Sequence, residues 1–133
     1  MTESLPTDSL PTDSLPTDPR AIAERYFACW AAGDPEPLRP LLSPTVTFDG
    51  ALGSTRGADE FVAGLAGMFA ATTANDVLLR LADDHDVVTW SALRIAGRPP
   101  LQVANWTHVE DGLITAVRVT FDPRPMLGDA PAG

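Results

Sequence analysis

The chain has 133 residues, a length that fits one domain. It is 44% hydrophobic and 20% charged, as ordinary globular proteins are, and its net charge of −9 argues against nucleic acid and anionic membrane surfaces, which need a basic face. Cys29 is the single cysteine, which excludes an intrachain disulfide, and no apolar run approaches the ~20 residues of a bilayer span.

The unit Ser4-Leu5-Pro6-Thr7-Asp8 recurs at 9–13 and at 14–18. A proline every fifth residue breaks any helix, and one sizeable apolar side chain per unit cannot offset the entropy of ordering it. Residues 1–18 are therefore expected to form a disordered repetitive tail, 19–126 the folded domain and 127–133 a flexible tail. The acidic start lacks the apolar stretch of a secretory signal, so a cytoplasmic protein is expected.

Asp18-Pro19 announces the first helix, because Asp is a favoured N-cap and Pro a favoured first helical residue. Ile22, Tyr26 and Trp30 recur every four residues as its apolar face, and Gly33 ends it. Asp34-Pro35 opens a short second helix burying Leu38, Leu41 and Leu42, with Pro40 limiting its length. Thr45–Asp49 reads as a strand, with Val46 and Phe48 on one face. Residues 50–57 read as a loop. A third helix is predicted over 58–71, with Phe61 and Leu65 in its stripe.

Four strands follow, at Val77–Leu81, Val87–Ala96, Leu101–Val109 and Leu113–Phe121, and Asp111-Gly112 is a strong hairpin signal. The side-chain period of two then sorts these strands into faces. Thr89, Ser91, Leu93, Leu101, Val103, Asn105, Thr107, Val117, Val119 and Phe121 fall on one face, expected to be concave and inward. Trp90, Trp106, His108 and Arg118 fall on the other. Two tryptophans on an outer face predict burial by a second subunit, hence a homodimer through Trp90 and Trp106. The fold class is α+β: a cone-shaped, bent antiparallel sheet packed against three helices from the N-terminal half, in the order α-α-β-α-β-β-β-β.

Several local patterns carry a resemblance in their order and spacing. They are Ala23-Glu24-Arg25-Tyr26-Phe27, Trp30-Ala31-Ala32-Gly33-Asp34, Leu41 through Asp49, Arg56 through Phe61, Val109 through Ile114, and Phe121-Asp122. Together they resemble the nuclear transport factor two-like superfamily, and more closely its SnoaL-like and ketosteroid-isomerase-like members. The resemblance covers Pro19 to about Met126 and implies a bent sheet wrapped around a pocket. Members include isomerases, polyketide cyclases, epoxide hydrolases and ligand binders, so fold alone does not fix function.

By this resemblance Tyr26 stands where isomerases keep a hydrogen-bond donor to a substrate oxyanion, and Asn105 where they keep an oxyanion-binding acid. Tyr26 also reads as a packed core ring, and Asn105 as an amide satisfied by Thr107 and Ser91. Asp49 is the candidate base, although the spacing places Gly50 at the family's position and a regular strand would turn Asp49 away from Phe48. The acid–base positions of the epoxide hydrolases fall on Thr89, Ser91 and Val119, which cannot supply that chemistry.

The expected pocket is lined by Trp30, Phe48, Phe61, Leu65, Thr89, Ser91, Val103, Thr107, Val119 and Phe121. It would hold a small apolar, polyketide-like or steroid-like carbonyl compound for cyclisation or isomerisation. The alternative is a non-catalytic binding or interaction module. No cofactor is expected, and no metal: His85 lies in a polar turn and His108 on the outer face. Cys29 reads as core.

Overall fold

A computed structural model describes residues 15–124. Helix α1 (Pro19–Ala32) starts where Asp18 accepts a hydrogen bond from the Ala21 amide and stops at Gly33, whose φ of 72° suits a residue without Cβ. The second helical segment, Glu36–Leu41, is 3-10 rather than α. Its prolines remove the amides an α-helix would use. Strand β1 (Leu42–Asp49) follows without a break, then a short β2 (Ser54–Arg56) and helix α2 (Ala58–Ala71). Four longer strands complete the chain: β3 (Thr72–Ala82), β4 (Asp86–Ile95), β5 (Leu101–Glu110) and β6 (Leu113–Thr120).

The six strands form one sheet in the order β2-β1-β6-β5-β4-β3. Its pairings are antiparallel except that of β1 with β6, which is parallel. That parallel pair follows from connectivity, since α2 and the β3–β5 meander carry the chain back to lie beside β1. Strand β2 and the parallel pairing are additions to the expected order. Strand β3 also starts five residues early, running straight on from α2 through Asn75-Asp76. Register shifts between Thr72 and Ala74 and between Val77 and Leu79 bend this edge strand. The hairpin at 111–112 is as expected, with positive φ at both residues (54° and 76°).

The helices lie on the concave face. Ile22, Tyr26 and Phe27 of α1 pack with Phe61, Val62 and Leu65 of α2, Val46 of β1 and Val117 of β6. A second cluster, Leu93, Leu101 and Val103, meets the first through Trp30 and Val119, which touch both. Leu15 packs against the first cluster, and Thr17 lies beside Gly112. Residues 15–18 thus belong to the folded body rather than to the tail. Residues 1–14 of the first expected tail, the end of the expected domain at 125–126 and the expected tail at 127–133 lie outside the described residues.

The facing residues sort as the alternation predicts. Thr89, Ser91, Asn105 and Thr107 are each no more than 2% exposed, whereas Trp90 is 41% and Trp106 47% exposed. Among the described residues no helix is long and apolar enough to cross a membrane.

Candidate functional site

Between the two helices and the sheet lies a cavity of about 120 Å³. Helix α1 supplies Tyr26 and Trp30. Helix α2 supplies Phe61, Gly64, Leu65 and Met68. The sheet supplies Phe48, Leu93, Val103 and Val119, with Phe121 just beyond β6, and one rim is the Gly50–Gly53 loop with Thr55. Among the described residues, Tyr26 is the only titratable one in this lining.

Tyr26 is fully buried, and its ring contacts Phe27, Trp30 and Phe61. Burial pushes its phenol well above the ordinary value, against a smaller downward pull from the Asn105 side chain. The group is therefore neutral at physiological pH and a hydrogen-bond donor. Asn105 and Tyr26 do not form a well-oriented bond, and the hydroxyl is left without a partner. Trp30 Nε1 and Thr55 Oγ1 are likewise buried and unpartnered. An unmatched buried polar atom costs about 1–3 kcal/mol, so three on residues around one apolar cavity is an unusual concentration.

The other polar residues of the concave face are largely matched to each other. Thr107 donates to Asn105 Oδ1 at 2.8 Å, and Arg80 Nε donates to Thr89 Oγ1 at 3.0 Å. Thr89, Ser91, Asn105 and Thr107 are buried as expected but do not line the cavity. They form a polar layer beyond it, in which the Ser91 hydroxyl lacks a partner.

Arg80 was not foreseen. The register shift between Val77 and Leu79 turns it to the inner side, pairing it with Thr89, and its guanidinium lies 4.9 Å from the Phe27 ring centroid. Alternation alone could not show this, because a bulge resets the parity.

Asp49 does not reach the cavity. Its carboxylate accepts from Ser54 at 2.9 Å and faces Arg118 Nη1 at 3.5 Å, and Arg118 projects from the outer face. Gly50 does line the cavity. A Cβ there would sit 2.7 Å from Phe48 Cε1, so the present packing of Phe48 leaves no room for an acid at that position. The sequence reading also left out the Gly50–Gly53 rim, Thr55, Gly64, Met68 and Leu93 from the lining. For Leu93 and Met68 the signal was present, in parity and in the helical stripe.

Outside the cavity, Cys29 is buried with its thiol raised chiefly by burial, consistent with a packing role. His85 Nδ1 lies 3.2 Å from the Val109 carbonyl. His108 is bound by Asp86 and Glu110, and among the described residues no group of side chains has metal-binding geometry.

Comparison with known proteins agrees with this architecture. The profile of the SnoaL-like domain matches residues 23–117. Among proteins with curated descriptions, none matches the chain. An NTF2-like protein of unknown function from Cytophaga hutchinsonii superposes with a TM-score of 0.75 at 21% identity, covering 86% of this chain and 97% of its own. A steroid delta-isomerase from Pseudomonas aeruginosa gives 0.71 at 22% identity, covering 83% of each chain. A Sinorhizobium meliloti protein, provisionally named a polyketide cyclase, gives 0.66 at 16% identity, covering 74% of this chain and 93% of its own. At such identities these likenesses speak for the fold.

Proposed function

The chain belongs to the SnoaL-like domain family, and on that premise we propose that its cavity binds a small apolar carbonyl compound and promotes a shape-driven cyclisation or isomerisation. The observation that carries this reading is an apolar chamber whose lining, among the described residues, holds unpartnered neutral donors and no acid or base that titrates near neutral pH. In this reading Tyr26 O–H, which is buried and unpartnered, donates to a carbonyl oxygen and stabilises negative charge developing there. Proton removal by a side chain is not part of the proposal, because Asp49 is turned outward and residue 50 is glycine.

The volume narrows the substrate class. A cavity of roughly 150 Å³ engineered in another protein holds benzene, so about 120 Å³ suits one ring rather than a fused polycycle. The test uses acetophenone, one ring with one carbonyl. Saturable binding is expected, weakened about 2- to 12-fold by Tyr26→Phe, the value of one neutral hydrogen bond. Absence of saturable binding by the wild type refutes the reading. The same lack of a base favours a second reading, a binder without turnover. Accelerated rearrangement of single-ring carbonyl substrates separates the two.

The outer face supports a homodimer as part of the proposal. Leu79, Leu81, Val88, Trp90 and Trp106 are exposed and adjacent across β3, β4 and β5. Asp86, Glu110 and Arg118, each paired within the chain, carry both charge signs on this face, which is compatible with a self-complementary two-fold contact. Sedimentation should find a dimer that Trp106→Glu converts to monomer. A monomeric wild type would remove this element.

A further inference from the structure

A second hollow lies directly against the cavity. It is a groove of about 360 Å³ between the C-terminal ends of α1 and α2 and the start of β3. Trp30, Gly33, Phe69, Thr72, Asn75 and Asp76 are among its walls. Trp30 lines both hollows, so one indole stands between them. The sheet register makes the same connection. Asn75 on β3 is the cross-strand partner of Leu93 on β4, and Leu93 lines the cavity. Paired residues share a face, so the cavity floor continues into the groove.

Two of the residues that line the groove carry an unmatched polar atom. Trp30 Nε1 is a buried donor without an acceptor, and Asn75 Oδ1 is a buried acceptor without a donor. The indole has ring contacts with Tyr26 at 6.2 Å, Phe27 at 5.8 Å and Phe69 at 5.1 Å between centroids, and packs against the Leu93, Leu101 and Val103 cluster. Among the described residues no hydrogen bond to its Nε1 fixes its orientation. Nearby charge is already committed, since Asp76 pairs with Arg94 at 3.2 Å. Among the described residues, the unmatched buried side-chain atoms of the groove lining are therefore one neutral donor and one neutral acceptor rather than a charge.

We propose that cavity and groove are two halves of one ligand site, with the Trp30 indole as a movable partition. The ligand is a molecule with an apolar ring for the cavity and an amide-like donor–acceptor group for the groove. Trp30 N–H donates to the ligand's carbonyl, and Asn75 Oδ1 accepts from its N–H. This rests on the reading above that the cavity takes an apolar ring, and it adds a separate amide group held in the groove rather than by Tyr26.

The test compares toluene with N-benzylacetamide, which carry the same ring without and with an amide. Two neutral hydrogen bonds predict about tenfold tighter binding of the amide by the wild type. The Trp30 indole N–H resonance should move with N-benzylacetamide and much less with toluene. Asn75→Ala should lose most of the amide preference while keeping toluene affinity, and Asn75→Asp, which retains an acceptor, should keep part of the preference. If toluene binds and the amide brings no gain, or if the gain survives Asn75→Ala, the two-part site is wrong and the cavity reading stands. If neither compound binds, both fail together.

Discussion

Removing the Tyr26 hydroxyl should make the protein more stable and a poorer binder at once. The hydroxyl is fully buried and unpartnered, and the Asn105 Oδ1 already accepts from Thr107. Leaving such a group unmatched costs about 1–3 kcal/mol. Relaxation around the variant recovers only part of such a cost, so the low end of the range is taken. Tyr26→Phe preserves the ring and its contacts with Phe27, Trp30 and Phe61. The expected gain is about 1 kcal/mol, read as a rise in Tm of about 3–6 °C for a domain of this size. Calorimetry measures that gain, and titration with acetophenone measures the accompanying loss of affinity. A fall in Tm of similar size would refute the reasoning. It would mean that the hydroxyl has a good partner in the folded protein and is not held ready for a ligand.

Gly50→Ala should cost about 1–3 kcal/mol in denaturant unfolding, because a Cβ 2.7 Å from the Phe48 ring forces that ring to move. It should weaken acetophenone binding as well. Asp18→Ala removes the side chain that caps α1 at the Ala21 amide, at 3.1 Å, and should lower stability by about 1 kcal/mol without changing ligand affinity. Asp86, and after it Glu110, hold the His108 pKa above its ordinary value of 6.5. Stability from that shift is complete below 6.5 and is lost as pH rises through the raised value. Urea midpoints should therefore fall further between about pH 6 and about pH 9 in the wild type than in His108→Gln, and equal slopes would contradict the assignment.

Legibility in the sequence followed the locality of the signals. Asp18-Pro19 and Gly33 mark α1 because caps are contacts within a few residues. Alternation sorted the long strands, so the burial of Asn105 and the exposure of Trp106 were readable. What depended on distant geometry was not readable. Strand β2 has three residues, and its pairing with β1 is invisible to a periodicity. Asn75-Asp76 disfavours a strand, yet continuity with α2 and pairing with β4 impose one. The shift near Leu78 reversed the parity that would have revealed Arg80. In the site, the ring-bearing residues were found from helical and strand spacing. Two outcomes needed side-chain positions: the outward turn of Asp49, and the self-matching of Thr89, Asn105 and Thr107 away from the cavity.

The account rests on a neutral Tyr26 donor meeting a ligand's carbonyl inside an apolar chamber. Infrared difference spectra of carbonyl-labelled acetophenone bound to the wild type and to Tyr26→Phe test this most directly. The account predicts a carbonyl stretch in the wild type below its value in an alkane solvent, returning to the alkane value in Tyr26→Phe. The same frequency in both proteins would contradict it.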